Sequence, residues 1–181
     1  MIIKVVGRKT QEKSHFERLG RYILNTKHDP ALSFKRTAEY VVDTKIAEVL
    51  ATQSQNKRAQ ADKTYHLVVS LPHGERPTRE PVADVEDTIC AGLGFAEHQR
   101  ISAVHQNTDH FHLHIAVNKI HPTTYRSVDP YYPYYKLDAL AKELEIRHGL
   151  YKDNRISNEK NFANVGSMEA HQGEESFLRW L

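Results

Sequence analysis

A chain of 181 residues, 39% apolar and 27% charged, is long enough for one domain with its own core and polar enough to be globular in water. No apolar run approaches the roughly 18 residues a membrane-crossing helix needs, and Met1-Ile2-Ile3-Lys4-Val5-Val6 is too short and interrupted for a secretory leader, so no membrane insertion and a cytoplasmic location are expected. The single cysteine, Cys90, excludes an intramolecular disulfide framework, and a net charge of +2 is too small to imply a nucleic-acid partner by itself.

In chain order, Ile2 to Val6 reads as a first strand. Ser14-His15-Phe16-Glu17 has the form of a capping box and opens a helix on which Phe16, Leu19 and Ile23 recur at helical spacing. Tyr22 lies about 100° round the helix from Ile23, so its ring can rest on the core while its hydroxyl reaches a wet cleft. Through Arg36 there are nine Lys or Arg against three Asp or Glu, which makes this end the candidate phosphate-facing side. Arg36 to Val42 is read as a strand, Thr44 to Gln55 as a helix and Asn56 to Lys63 as a basic connection. Tyr65 to Ser70 is a β-rich run ended by a Pro-Gly loop, and Val82 to Leu93 is a helix with Cys90 inside it. After Pro122 the chain reads as irregular through Tyr131-Tyr132-Pro133-Tyr134-Tyr135, a Pro-stiffened loop whose tyrosines are candidates to stack unpaired bases. Leu137 to His148 is a helix stopped by Gly149. Beyond Tyr151 the chain is polar, and its ending on Phe177-Leu178-Arg179-Trp180-Leu181 suggests the N-terminal piece of a longer polypeptide.

The most informative stretch lies between the last two helices. Ile101 to His105 and Phe111 to Val117 are two short strand-like runs separated by polar turn material, Asn107-Thr108-Asp109-His110, so a hairpin is expected. Alternation puts Phe111, Leu113, Ile115 and Val117 on one face and His112, His114, Ala116 and Asn118 on the other. If 105 pairs with 112, then 103 pairs with 114. His105 then stands beside His112 with small Ala103 opposite His114, and three imidazoles can converge on one divalent ion with coordination positions left open. Asp109 is a candidate to orient one of them. His110 has the wrong parity, and His121 marks a strand end. The expected architecture is α+β: a central antiparallel sheet with helices packed on one face and the three-histidine metal site on the other.

The chain also resembles the relaxase domain of conjugative plasmid transfer proteins, the MOBP class and its IncP-type members within the HUH endonucleases. The resemblance is carried by Ser14 to Ile23 around Tyr22, by Ala61 to Ser70, and by Ile89 to Arg100 together with the histidine run through Pro122. It covers most of residues 1–155, so the domain division it implies is a relaxase domain over 1–155 and a C-terminal extension over 156–181. The resemblance implies that Tyr22 attacks a phosphodiester at an origin of transfer and leaves a 5′-phosphotyrosyl enzyme. It implies a divalent cofactor of Mg, Mn or Zn type on His105, His112 and His114, with Asp109 or a metal-linked histidine as base. It implies Ser70 as a DNA contact, to which Lys63, Arg58, Arg36 and Arg126 add candidate phosphate contacts. The partners implied are single-stranded DNA at an origin of transfer, accessory nicking-complex proteins and a coupling protein; the covalent complex would be a candidate for export in conjugation. Rival readings are a rolling-circle replication initiator with the same chemistry, a three-histidine metal hydrolase without a covalent intermediate, and a non-catalytic single-strand binder.

Overall fold

The computed structural model describes residues 1–7, 15–24, 34–37, 46–72, 74–105 and 111–150, with backbone alone at 34–37. Its elements run β1 (Ile2–Val5), α1 (Phe16–Ile23), β2 (Phe34–Thr37), α2 (Ile46–Gln55), β3 (Thr64–Ser70), α3 (Arg79–Gly92), β4 (Arg100–His105), β5 (His112–Asn118) and α4 (Pro133–Arg147). The strands form one antiparallel sheet in the order β1-β3-β5-β4-β2. One compact unit spans Met1–Tyr151; the C-terminal extension expected over 156–181 lies outside the described residues. No described helix is long and apolar enough to cross a membrane.

The hairpin expectation is met residue for residue, with His105 opposite His112 and Ala103 opposite His114. β3 lies along the other edge of β5, Ser70 facing His112 and Val68 facing His114. Since directly opposed residues point to the same side, this register sorts the sheet into two faces. Leu67, Val69, Val104, Leu113, Ile115 and Val117 form the larger core with Val82, Val85 and Ile89 of α3 and Leu137, Ala141 and Leu144 of α4. Ile101, Ala103 and Ala116 form a smaller core with Phe16 and Ile23 of α1 and Val49 of α2.

Helices therefore cover both faces, where a single covered face was expected. Ile101, Ala103 and Ala116 lie on the histidine side, and such an apolar patch has to be shielded from water; α1 and α2 do so, while His112 and His114 on the same face stay partly exposed. Four element bounds also differ from expectation. α1 begins at Phe16 behind His15, which makes no side-chain cap, and Ser14 lies outside the described residues. β2 begins at Phe34, ahead of the expected Arg36, and residues 38–45 lie outside the description. α3 starts at Arg79 and α4 at Pro133, each a turn before its apolar period begins. The first turn of a helix accepts proline, whose missing N–H has no partner there anyway. The tyrosine run expected to be a loop thus supplies the first turn of α4, on the α3 side of the sheet.

Candidate active site

Each side chain near the histidine end of this face is placed by a local cause. Gly20 lets α1 approach α2 closely: a Cβ there would stand 3.2 Å from Ile46 Cδ1. With Phe16 and Ile23 buried below it, α1 cannot roll, and Tyr22 is left 47% exposed at the edge of the stripe. Its ring centroid lies 5.6 Å from that of His105 and 5.8 Å from that of His114. Tyr22 of α1 is thus brought beside His105 of β4 and His114 of β5, and β5 also carries His112, opposite His105. Asp109 lies outside the described residues.

The imidazoles form a continuous cluster. His105 and His114 have ring centroids 4.5 Å apart, and His112 and His114 6.5 Å. His105 Nε2 donates to the Ile23 carbonyl at 2.9 Å, which ties β4 to the end of the tyrosine helix. His112 Nδ1 is 2.8 Å from Ser70 Oγ. His114 Nδ1 is 3.2 Å from Nε2 of His66, a fourth histidine that the sequence reading passed over. Alternation along β3 puts His66 and Ser70 on one face, a signal visible in the sequence, but only the register with β5 shows that this is the face of His112 and His114.

Burial pushes the His114 imidazolium pKa down to about 3, helped by the neighbouring rings of His105, His66 and His112. Burial alone pushes His66 down to about 4. Both are neutral at physiological pH, the form in which imidazole ligates a metal. Imidazole nitrogens are donors that suit a divalent transition ion, and the register stands His105 beside His112, with His114 two residues further along β5 on the same face. As the rings stand, nitrogens of all three are bonded to protein partners, and among the described residues no group of three His, Cys, Asp or Glu is arranged to hold an ion.

The expected DNA-contacting residues fall in different places. Ser70 stands beside His112 at the site itself. Lys63 Nζ donates to the carbonyls of Gln53 and Asn56 at 2.8 and 2.6 Å, closing the end of α2. Arg58 and Arg126 line one open basin with Lys57, Asn56, Thr124 and Tyr125. Asn56 shapes it: its Oδ1 accepts from the Arg58 and Ala59 amides, while its Nδ2 donates to the Tyr125 carbonyl at 2.7 Å. Tyr125 is there held at a left-handed φ of 54°. Arg36 is placed only by register, opposite Ser102. Tyr131, Tyr132, Tyr134 and Tyr135 are all exposed, but on the α3 and α4 side, away from Tyr22.

Residues 22–150 match the family model described as relaxase, MobA/VirD2-like, nuclease domain. The whole chain is 45% identical to one Protein TraI of Escherichia coli and 42% identical to another, covering 25% of each. Over 41% of its length it is 37% identical to Protein MobA of Acidithiobacillus ferrooxidans, covering 18% of that protein. No solved structure matches the chain significantly. The chain spans a quarter of the length of the TraI relatives.

Proposed function

Because the chain belongs to the MobA/VirD2-like relaxase nuclease domains, we propose that it nicks and rejoins one DNA strand at a plasmid origin of transfer, with Tyr22 as nucleophile. The phenolic oxygen gives up its proton and attacks a backbone phosphorus. A bond forms from phosphorus to that oxygen, the bond to the 3′ oxygen breaks, and the 3′ oxygen takes up a proton and leaves as a hydroxyl. The other strand end stays on the protein as a 5′-phosphotyrosyl ester. Since one phosphodiester replaces another, the 3′-hydroxyl can attack the tyrosyl ester and reseal the strand.

The observation that carries this reading is the half-exposed Tyr22 ring 5.6 and 5.8 Å from the rings of His105 and His114. A phenol is a weak nucleophile in neutral water and needs a base or a cation beside it. His105, His112 and His114 are the residues that would hold a divalent ion of Mg, Mn or Zn type, and such an ion, when bound, supplies Lewis-acid neutralisation of charge on the scissile phosphate. Asp109 or one of the metal-linked histidines is the proposed base. Ser70, beside His112, meets the DNA close to the nick, while Arg58 and Arg126, with Arg36 and Lys63 as further cations, meet backbone phosphates. The proposed unit is a relaxase domain over 1–155 with 156–181 as its extension, working in a longer protein with accessory nicking proteins and a coupling protein.

The test is incubation with a single-stranded origin oligonucleotide and Mn(II), then digestion and mass spectrometry. An oligonucleotide-derived adduct on Tyr22, absent from Tyr22→Phe, is expected. Cleavage that persists in Tyr22→Phe without an adduct would make the protein a water-activating hydrolase, and an adduct on another residue would remove Tyr22 from its role.

A further inference from the structure

His66 is a half-buried imidazole for which the proposed chemistry has no use. On β3 it stands opposite Ala116, the smallest side chain on its stretch of β5. With no bulk across from it, the His66 ring leans along the strand toward His114, two residues away. The two rings stack at 28° with centroids 5.5 Å apart, and His66 Nε2 meets His114 Nδ1 at 3.2 Å. Two neutral imidazoles can share this contact only if one of them donates. If His66 donated, His114 would carry its own proton on Nε2 and have no lone pair left for another partner. If His114 donates from Nδ1, its Nε2 keeps the lone pair.

We propose that His66 is a positioning residue for His114: its Nε2 accepts the His114 Nδ1 proton and so fixes the tautomer in which His114 Nε2 is a ligand or acceptor. This rests on the reading of His114 as a metal ligand given above. β3 and α1 treat the other two imidazoles alike. Ser70, four residues along β3 on the same face, meets His112 at Nδ1. The Ile23 carbonyl, which can only accept, requires the proton of His105 to be on Nε2. Each candidate ligand thus has one ring nitrogen tied to a partner, the arrangement by which metal-ligating histidines are oriented and made more basic.

The test begins with the unaltered, metal-free protein. Nitrogen-15 NMR of labelled histidines, with His114 assigned by substitution, is expected to find its proton on Nδ1. His66→Phe keeps the stacked ring and removes the acceptor, whereas His66→Gln restores an acceptor. Titration calorimetry with Mn(II) is expected to show affinity lowered about 10- to 100-fold in the Phe variant and recovered in the Gln variant, with thermal unfolding as the control for folding. A His114 proton on Nε2 in the unaltered protein, or Mn(II) bound equally well by folded His66→Phe, would overturn the assignment. Neither readout depends on whether Tyr22 forms an adduct, so the two proposals fail separately.

Discussion

Arg100 and Glu86 show what single residues do on the side of the sheet away from the site. Glu86 is wholly buried and Arg100 is 2% exposed, yet both carry charge. Arg100 Nε donates to Glu86 Oε1 at 2.8 Å and Ser102 Oγ to Glu86 Oε2 at 2.6 Å, while a second Arg100 nitrogen reaches Asp87 at 2.5 Å. Breaking such a pair by removing one partner strands a charge in a medium that cannot solvate it. Glu86→Ala is therefore expected to cost about 3–5 kcal/mol, read as a lowered denaturant midpoint with an unchanged slope. Nothing in the sequence paired these residues, because Glu86 lies close to the acids Asp84 and Asp87, in a stretch whose charge alone fits a solvated helix face. The same limit hid His66, whose importance comes from a neighbour 48 positions away.

Among the elements, the β4–β5 hairpin was the most legible. A polar turn between two alternating runs permits few registers, and a slip by one residue would turn every histidine to the other face. Helix starts were less legible, since the first turns of α3 and α4 are exposed and carry no apolar period. Those two helices are joined by Asp84, which accepts hydrogen bonds from Arg147 and from His148 at 2.7 Å. Partial burial pushes the Asp84 carboxyl up, but the hydrogen bonds from Arg147 and His148 outweigh it and hold its pKa below the usual carboxylate range. A carboxyl whose folded pKa is depressed stabilises the fold above its unfolded value, about 3.9, and loses that contribution as pH falls through the lower folded value. Thermal unfolding followed from pH 6 to pH 2 is expected to show a smaller acid-induced drop in Asp84→Asn than in the unaltered protein, and equal drops would deny Asp84 this part.

At the scale of the molecule, the Tyr22 site and the Arg58–Arg126 basin lie toward opposite ends of the sheet. β5 runs from His112 beside the tyrosine helix to Asn118, whose side chain accepts from Gln53 of α2. The four residue steps from His114 to Asn118 span roughly 13 Å of strand, a distance that a few nucleotides of extended backbone can bridge. If a bound strand occupies both places, Arg58→Ala and Arg126→Ala are each expected to lower the slope of log K against log salt by about 0.7, the value for one phosphate of single-stranded DNA. Retained slopes would take the basin off the DNA path.

The amino-acid sequence by itself determined the strand alternation, the pairing of His105 with His112, and the position of Tyr22 at the rim of an apolar stripe. All three are short-range periodicities that a backbone of fixed geometry turns directly into faces. Only the tertiary structure decided that α1 and α2 share the histidine face, that Lys63 closes a helix end, and that His66 lies against His114. Those outcomes depend on which surfaces have to be hidden from water and on the register between strands distant in the chain, and no local pattern encodes either.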